Sequence, residues 1–122
     1  MNRPHTITIY NYYDNKYVKN MLHGVYWYGT DSINISGKGV VESNSINIII
    51  DGEENLGKYL SKELYQGDVD TYTLDTDIRI VLGEGPDITS VNDLENYKQM
   101  TVFSFDVNIV GSSVDNILIV GK

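Results

Sequence analysis

Apolar and polar residues alternate with a period of two along most of this chain, the pattern of strands that bury one face. His5 to Tyr10 carries Ile7 and Ile9 on one side. Ser45 to Asp51 does the same with Ile46, Ile48 and Ile50, and Asp77 to Glu84 with Ile78, Ile80 and Leu82. Met100 to Val110 predicts a long strand whose buried face is Phe103, Phe105, Val107 and Ile109. Val114 to Gly121 is apolar on both faces from Ile117 to Val120, so it is expected to be covered twice. Tyr17 to Tyr28 reads as a strand with a phase fault, because Leu22 falls opposite Val25 and Trp27. A bulge at Gly24 would bring all three to one side. A short, Gly-punctuated strand with Ile33 and Ile35 is expected over 31–39.

Between these strands the signals change. Asn11 to Lys16 is polar and turn-like. Gly52 to Thr71 is the least regular stretch, and Leu56, Tyr59, Leu60 and Leu64 have the spacing of one short amphipathic helix. Gly83, Gly85 and Pro86 end the strand before them. Ser90 with Asp93 has capping-box spacing and predicts a second short helix, its buried stripe being Val91, Leu94 and Tyr97. The sum is a mainly β chain, a small barrel or compact sandwich of about seven strands with one or two short helices. Length argues for one β-rich domain over residues 1–122.

Composition narrows the chemistry. There is no cysteine, hence no disulfide and no thiolate metal site. No apolar run is long enough to span a bilayer, and no export signal is visible. The formal net charge is -8. Wrapping nucleic acid by counterion release needs clustered Lys and Arg, so this charge favours solubility, or a surface that DNA slides past without holding.

No motif carries catalysis. Gly52-Glu53-Glu54-Asn55-Leu56-Gly57-Lys58 has P-loop spacing after a strand, but two glutamates in the cradle would repel phosphate. Tyr59 also stands where a magnesium-binding hydroxyl belongs. Gly83-Glu84-Gly85 lacks the third glycine of a dinucleotide fingerprint, with Ile88 in its place. His5 and His23 lie in no elbow or zinc motif and read as strand residues with ordinary hydrogen-bond partners. The acidic groups Asp51, Glu53, Glu54 and Asp68, Asp70, Asp75, Asp77 lack the spacing of a calcium loop. A hydrolase using them is the least favoured reading. The expectation is therefore no enzyme, no cofactor and no metal site. Tyr10, Tyr12, Tyr13, Tyr26, Trp27 and Tyr28 form a conspicuous aromatic set, suited equally to cores and interfaces. Trp27 is expected in the core.

Six segments in order carry a resemblance: Thr6–Asn11, Leu22–Trp27, Lys58–Leu64, Tyr72–Leu74, Asp77–Glu84 and Val120–Lys122. Together they are similar to a family of short structural proteins encoded between capsid and tail genes in phages of low-GC Gram-positive bacteria. Thr76-Asp77 replaces a Gly-Asp turn frequent there, and Asn116 to Ile119 lacks a histidine. The resemblance implies a virion protein of the head–tail connector, or neck, assembled in the host cytoplasm. It implies a stopper-like head-completion ring built from copies of itself, with portal or adaptor protein on the head side and tail-completion protein on the tail side. DNA would pass its channel without sequence-specific binding, and no membrane would be involved. The rival expectation is a carbohydrate- or surface-binding β module, for example tail-associated, stacking ligands on exposed Tyr and Trp. The candidate interface or channel-loop residues are Tyr12, Tyr13, Glu53, Glu54, Tyr59, Leu64, Tyr65, Asp68 and Asp70.

The charge argument at Gly52 to Lys58 has a direct consequence: ATP titrated into the protein gives no saturable heat. Saturable binding abolished by Lys58→Ala would contradict it.

Overall fold

The structure is a computed structural model that describes residues 4–36 and 39–122, with side chains described outside 30–44. Six strands close into a barrel. They are β1 (His5–Tyr13), β2 (Lys16–Ser36), β3 (Gly39–Ile50), β4 (Arg79–Leu82), β5 (Gln99–Val110) and β6 (Ser113–Gly121). Their order around the barrel is β1-β2-β3-β6-β5-β4, and every neighbouring pair is antiparallel. One turn of helix, α1 (Glu53–Leu56), and one 3-10 helix (Val91–Leu94) lie in the connections. The strand count falls from about seven to six because Gly29 does not break β2. It pairs with Ile46, and the strand continues to Ser36. Residues 37–38 and the side chains of Ile33 and Ile35 lie outside the described residues.

Local chemistry explains most of the register. Asp14 and Asn15 both take positive φ, 50° and 63°, as the two-residue turn between β1 and β2 requires. The turn is thus tighter than expected, and β1 runs on through Tyr13. Gly24 has φ 74°, and the β1–β2 register slips opposite it, from His5↔Val25 to Thr6↔His23. That bulge puts Leu22, Val25 and Trp27 together in the core, as their spacing demands.

A second bulge was not legible. The β5–β6 register slips between Val102 and Ser104, which leaves Phe103 outside the ladder and 55% exposed. Met100 and Val102 are therefore the buried residues of the first half of β5, and Phe105 and Val107 take over beyond the slip. Ile109 is exposed too, so the face expected from Phe103 to Ile109 is core only in its middle. Gly121 permits the slip: an added Cβ would collide with the Thr101 carbonyl and the Met100 side chain. β6 is covered once, not twice. Ile117 and Ile119 are buried, whereas Leu118 faces outward.

Strand lengths exceed what the barrel uses. β3 meets β6 only over Ile46–Ile50 and Ile117–Gly121, and β4 meets β5 only over Arg79–Val81 and Gln99–Thr101. The remainder of β5–β6, out to Val110 and Ser113, pairs only with itself and projects past one end. The outer part of β2–β3 projects past the opposite end.

Two connections complete the burial. The 83–98 segment lies over the outside of β1 and β4, where Ile88 and Leu94 bury Tyr10 and Val81. Thr8 Oγ1 donates to the Gly83 carbonyl at 2.8 Å and accepts from the Gly85 N–H at 2.9 Å. Tyr10 donates its hydroxyl to the Pro86 carbonyl at 2.7 Å. The capping box of Ser90 and Asp93 is present as expected, but Tyr97 is exposed and only Leu94 of the stripe is fully buried.

Two tests follow from this packing. Ile48→Ala is expected to cost about 2–5 kcal/mol in urea unfolding, and Phe103→Ala about 0.5 kcal/mol or less. Equal losses would place Phe103 back in the core. Burial, with Tyr97 and Asp87 nearby, raises the Tyr10 hydroxyl from 10.0 to about 12. A phenol harder to ionise in the fold than in the open chain stabilises fully below its unfolded value and loses that contribution as pH rises through the folded one. Stability should therefore fall between pH 10 and 12, and Tyr10→Phe should flatten that fall.

Candidate functional site

The excursion from Asp51 to Ile78 carries most of the candidate residues. It leaves β3 and returns at β4 at one end of the barrel, and its own side chains close that end. Tyr72 and Leu74 are buried in the core, with Leu56, Tyr59 and Ile78 packed against them. Leu56, Tyr59, Leu60 and Leu64 do not form the expected helix. α1 stops at Leu56, Tyr59 makes an isolated bridge with Tyr72, and Leu64 is 66% exposed. Their spacing is helical, but their partners lie on different surfaces.

A chain segment that enters a core must find partners for its backbone groups. Two buried asparagines of the strands supply several of them, and a third, in α1, ties the excursion back to β2. Asn11 of β1 donates to the Thr73 carbonyl at 2.8 Å and accepts from the Thr73 N–H at 3.2 Å. Asn20 of β2 donates to the carbonyls of Val69 and Thr71 at 2.6 and 3.2 Å. Asn55 of α1 donates to the His23 carbonyl at 2.6 Å, and its own carbonyl accepts from the Tyr72 hydroxyl at 3.0 Å. Leu60 and Tyr72 add backbone bonds, Leu60 N–H to Tyr72 and Tyr72 N–H to Lys58, both 2.9 Å. Burial raises the Tyr72 hydroxyl well above its ordinary value, so it remains a donor. The asparagines escaped the sequence reading. For Asn20 the signal was Asn inside an expected strand, where that residue is disfavoured, whereas Asn11 fell in the expected turn and Asn55 in the irregular stretch.

The aromatic candidates divide. Trp27 is core, as expected. Tyr65 is buried and meets the Tyr13 ring edge-on at 5.7 Å, so it packs on its own chain. Tyr59 is half-buried against the core. Tyr12 is 60% exposed and lies 4.8 Å from the Tyr17 ring. The acidic candidates Glu53, Glu54, Asp68 and Asp70 are all exposed. Among the described residues no three His, Asp or Glu side chains converge as a metal site. Asp75 instead pairs with Lys62 at 2.6 Å, and that bond holds its carboxyl below the ordinary carboxylate value. The histidines take strand partners: His5 Nδ1 accepts from the Trp27 N–H at 3.1 Å, and His23 Nδ1 bonds Thr6 Oγ1 at 3.0 Å.

Among the described residues three concavities border the excursion, one of about 240 Å³ beside Asn20, Lys58 and Asp70 and two larger ones. An open cleft of about 560 Å³ separates α1 from the β5–β6 hairpin, lined by Glu53, Leu56, Val114 and Asp115 among others. A smaller cavity of about 320 Å³ lies between the end of β1 and the excursion, walled by Tyr12, Tyr13 and Tyr65. The projecting hairpin itself ends in Ile109 and Val110, 63% and 67% exposed.

A family profile matches residues 3–122, nearly the whole chain. The chain belongs to the DUF6751 family. DUF6751 is described as a family of unknown function. No curated protein and no solved structure is similar to this chain.

The asparagine bonds predict a measurable asymmetry. Asn11→Ala leaves both Thr73 backbone groups unpaired inside the fold and should cost about 1–3 kcal/mol in urea unfolding. Asn96→Ala, at an exposed position, should change stability by less than about 0.5 kcal/mol. Equal effects would show that the excursion does not depend on Asn11.

Proposed function

We propose that this protein is a non-catalytic structural subunit of a bacteriophage neck, a stopper-like component that forms a head-completion ring with copies of itself. The observation that carries the self-assembly is the β5–β6 hairpin. It runs past the barrel and presents Ile109 and Val110 at its tip. Exposed apolar strand ends are contacts awaiting another chain. Phe103 and Leu118 are further exposed apolar residues of the same two strands. Assignment of that assembly to the neck rests on the six ordered sequence segments. The net charge of -8 and the exposed Glu53, Glu54, Asp68 and Asp70 suit a channel wall that repels DNA phosphate. In this reading portal or adaptor protein lies on one side and tail-completion protein on the other.

The excursion's contribution to a neighbour would come from its exposed members, Leu64 and the four carboxylates, since Tyr59 and Tyr65 are used within the chain. Leu56 and Tyr59 pack on the core and Tyr65 is buried, so point substitutions of the exposed members are the sound probe of this segment. The rival reading, a carbohydrate- or surface-binding module, loses Trp27 as a stacking platform because that ring is 6% exposed. It retains Tyr12 and Tyr13.

The test is made in particles. Heads assembled with the double variant Ile109→Asp and Val110→Asp are expected to lose nuclease-protected DNA and to lack joined tails in electron micrographs. The variant itself should keep its β circular dichroism and unfolding midpoint. Infectious, DNA-filled virions from a folded double variant would contradict the proposal.

A further inference from the structure

The outer edge of β5 outruns the strand beside it. β4 pairs with β5 only up to Thr101. The residues before β4 extend that ladder by one step: the Asp77 N–H donates to the Val102 carbonyl at 2.8 Å and the Val102 N–H to the Ile78 carbonyl at 3.0 Å. Beyond Val102 no strand lies on that side among the described residues, while β6 continues on the other side as far as Val110. Ahead of the register slip Val102 bonds toward β4 and Thr101 toward Lys122. The extra residue at the slip reverses that alternation, so Phe105 and Val107 turn their N–H and C=O groups away from β6. Extended backbone from Ser104 to Val110 is thus oriented for pairing with another strand.

This edge carries little of the charge that keeps strand edges apart. No Lys, Arg or Pro occurs from Gln99 to Gly121, and Asp106 is the only charged residue of β5. Ile109 and Val110 are exposed apolar side chains along it. Two copies of a chain with net charge -8 repel each other over most of their surface, and this edge is where that repulsion is least. Its sequence also matches itself. Val107 is the middle of the 104–110 run. Antiparallel pairing about a two-fold axis at Val107 sets Val107 against Val107, Phe105 against Ile109, Ser104 against Val110 and Asp106 against Asn108. An axis at Asp106 would instead oppose two like charges, which destabilises a strand pair.

We propose that the free subunit forms a two-fold dimer by antiparallel pairing of β5 edges, with the axis at Val107, joining two barrels through one continuous sheet. Such a contact is isologous and closes on itself, so it ends at two copies. The pairing does not rest on the neck reading. Taken with that reading, it covers Ile109 and Val110, the residues offered to a ring neighbour, and is the form of the subunit before assembly.

The experiment is sedimentation equilibrium of the purified full-length protein. The parent should show a monomer–dimer equilibrium with Kd on the order of 10 μM. Asn108→Asp opposes two carboxylates on each side of the axis and should raise Kd about tenfold or more. Adding Asp106→Lys to Asn108→Asp makes the same two pairs oppositely charged and should return Kd to within about threefold of the parent. Both positions are exposed, so the urea midpoints should stay at the parent's. A second readout needs no substitution: exchange of the Val107 amide should slow as the parent's concentration rises through Kd. The proposal is overturned if the parent stays monomeric up to about 1 mM or if Asn108→Asp dimerises as tightly as the parent. It is equally overturned if the folded double variant fails to recover the dimer. Should a variant unfold, a Val107 amide indifferent to concentration overturns it. The sample contains no portal, tail protein or DNA, so a monomeric result leaves the ring contact to be judged in particles.

Discussion

A closed six-stranded barrel has two open ends, and the end where β3 exits and β4 begins is sealed by an excursion of the chain itself. That excursion inserts Tyr72 and Leu74 into the core. Irregular backbone entering an apolar space is costly unless its N–H and C=O groups are paired. The side chains of Asn11 in β1 and Asn20 in β2 pair backbone groups of the excursion, and that of Asn55 ties the excursion to the His23 carbonyl of β2. The rest of the molecule depends on this arrangement. Without it Tyr72 would not hold the centre of the core, and the walls of the three concavities would not exist.

The same arrangement sorts the candidate residues by role. Tyr59, Tyr65 and Tyr72 look polar and loop-like in sequence, yet they serve the fold. Glu53, Glu54, Leu64, Asp68 and Asp70 remain on the surface and take no part in the core. The hairpins divide similarly. β5 and β6 contribute Met100, Val102, Ile117 and Ile119 to the core, then continue outward to an apolar tip with no role in it.

Alternation made β1, β4 and the second half of β3 readable, because a strand with one buried face writes its period directly into the sequence, whereas β6 was read from its apolar density. The Gly24 bulge was readable for the same reason: the phase fault at Leu22 had only one economical repair. The Ser90–Asp93 cap is local, and so was legible. The slip at Phe103 was not. It sits on a non-glycine residue, and the glycine that permits it, Gly121, is on the partner strand. The false helix over Leu56 to Leu64 had correct spacing but lacked a single apolar surface to face. The asparagine bonds join residues 32 to 62 positions apart, and the tyrosine-walled cavity likewise gathers distant residues. A window along the chain holds no trace of such pairings beyond the oddity of Asn20 within an expected strand.

The central claim is that the 52–73 segment is an integral closure of the barrel and not an independently opening loop. Native-state hydrogen exchange tests it most directly, since locally opening segments exchange with less free energy than the global transition. The amides of Leu60 and Tyr72, which bond across the excursion, are predicted to exchange with the same free energy and the same denaturant dependence as the amide of Ile48 in the core. Exchange of Leu60 and Tyr72 through a low-energy opening, independent of denaturant while Ile48 stays protected, would contradict it.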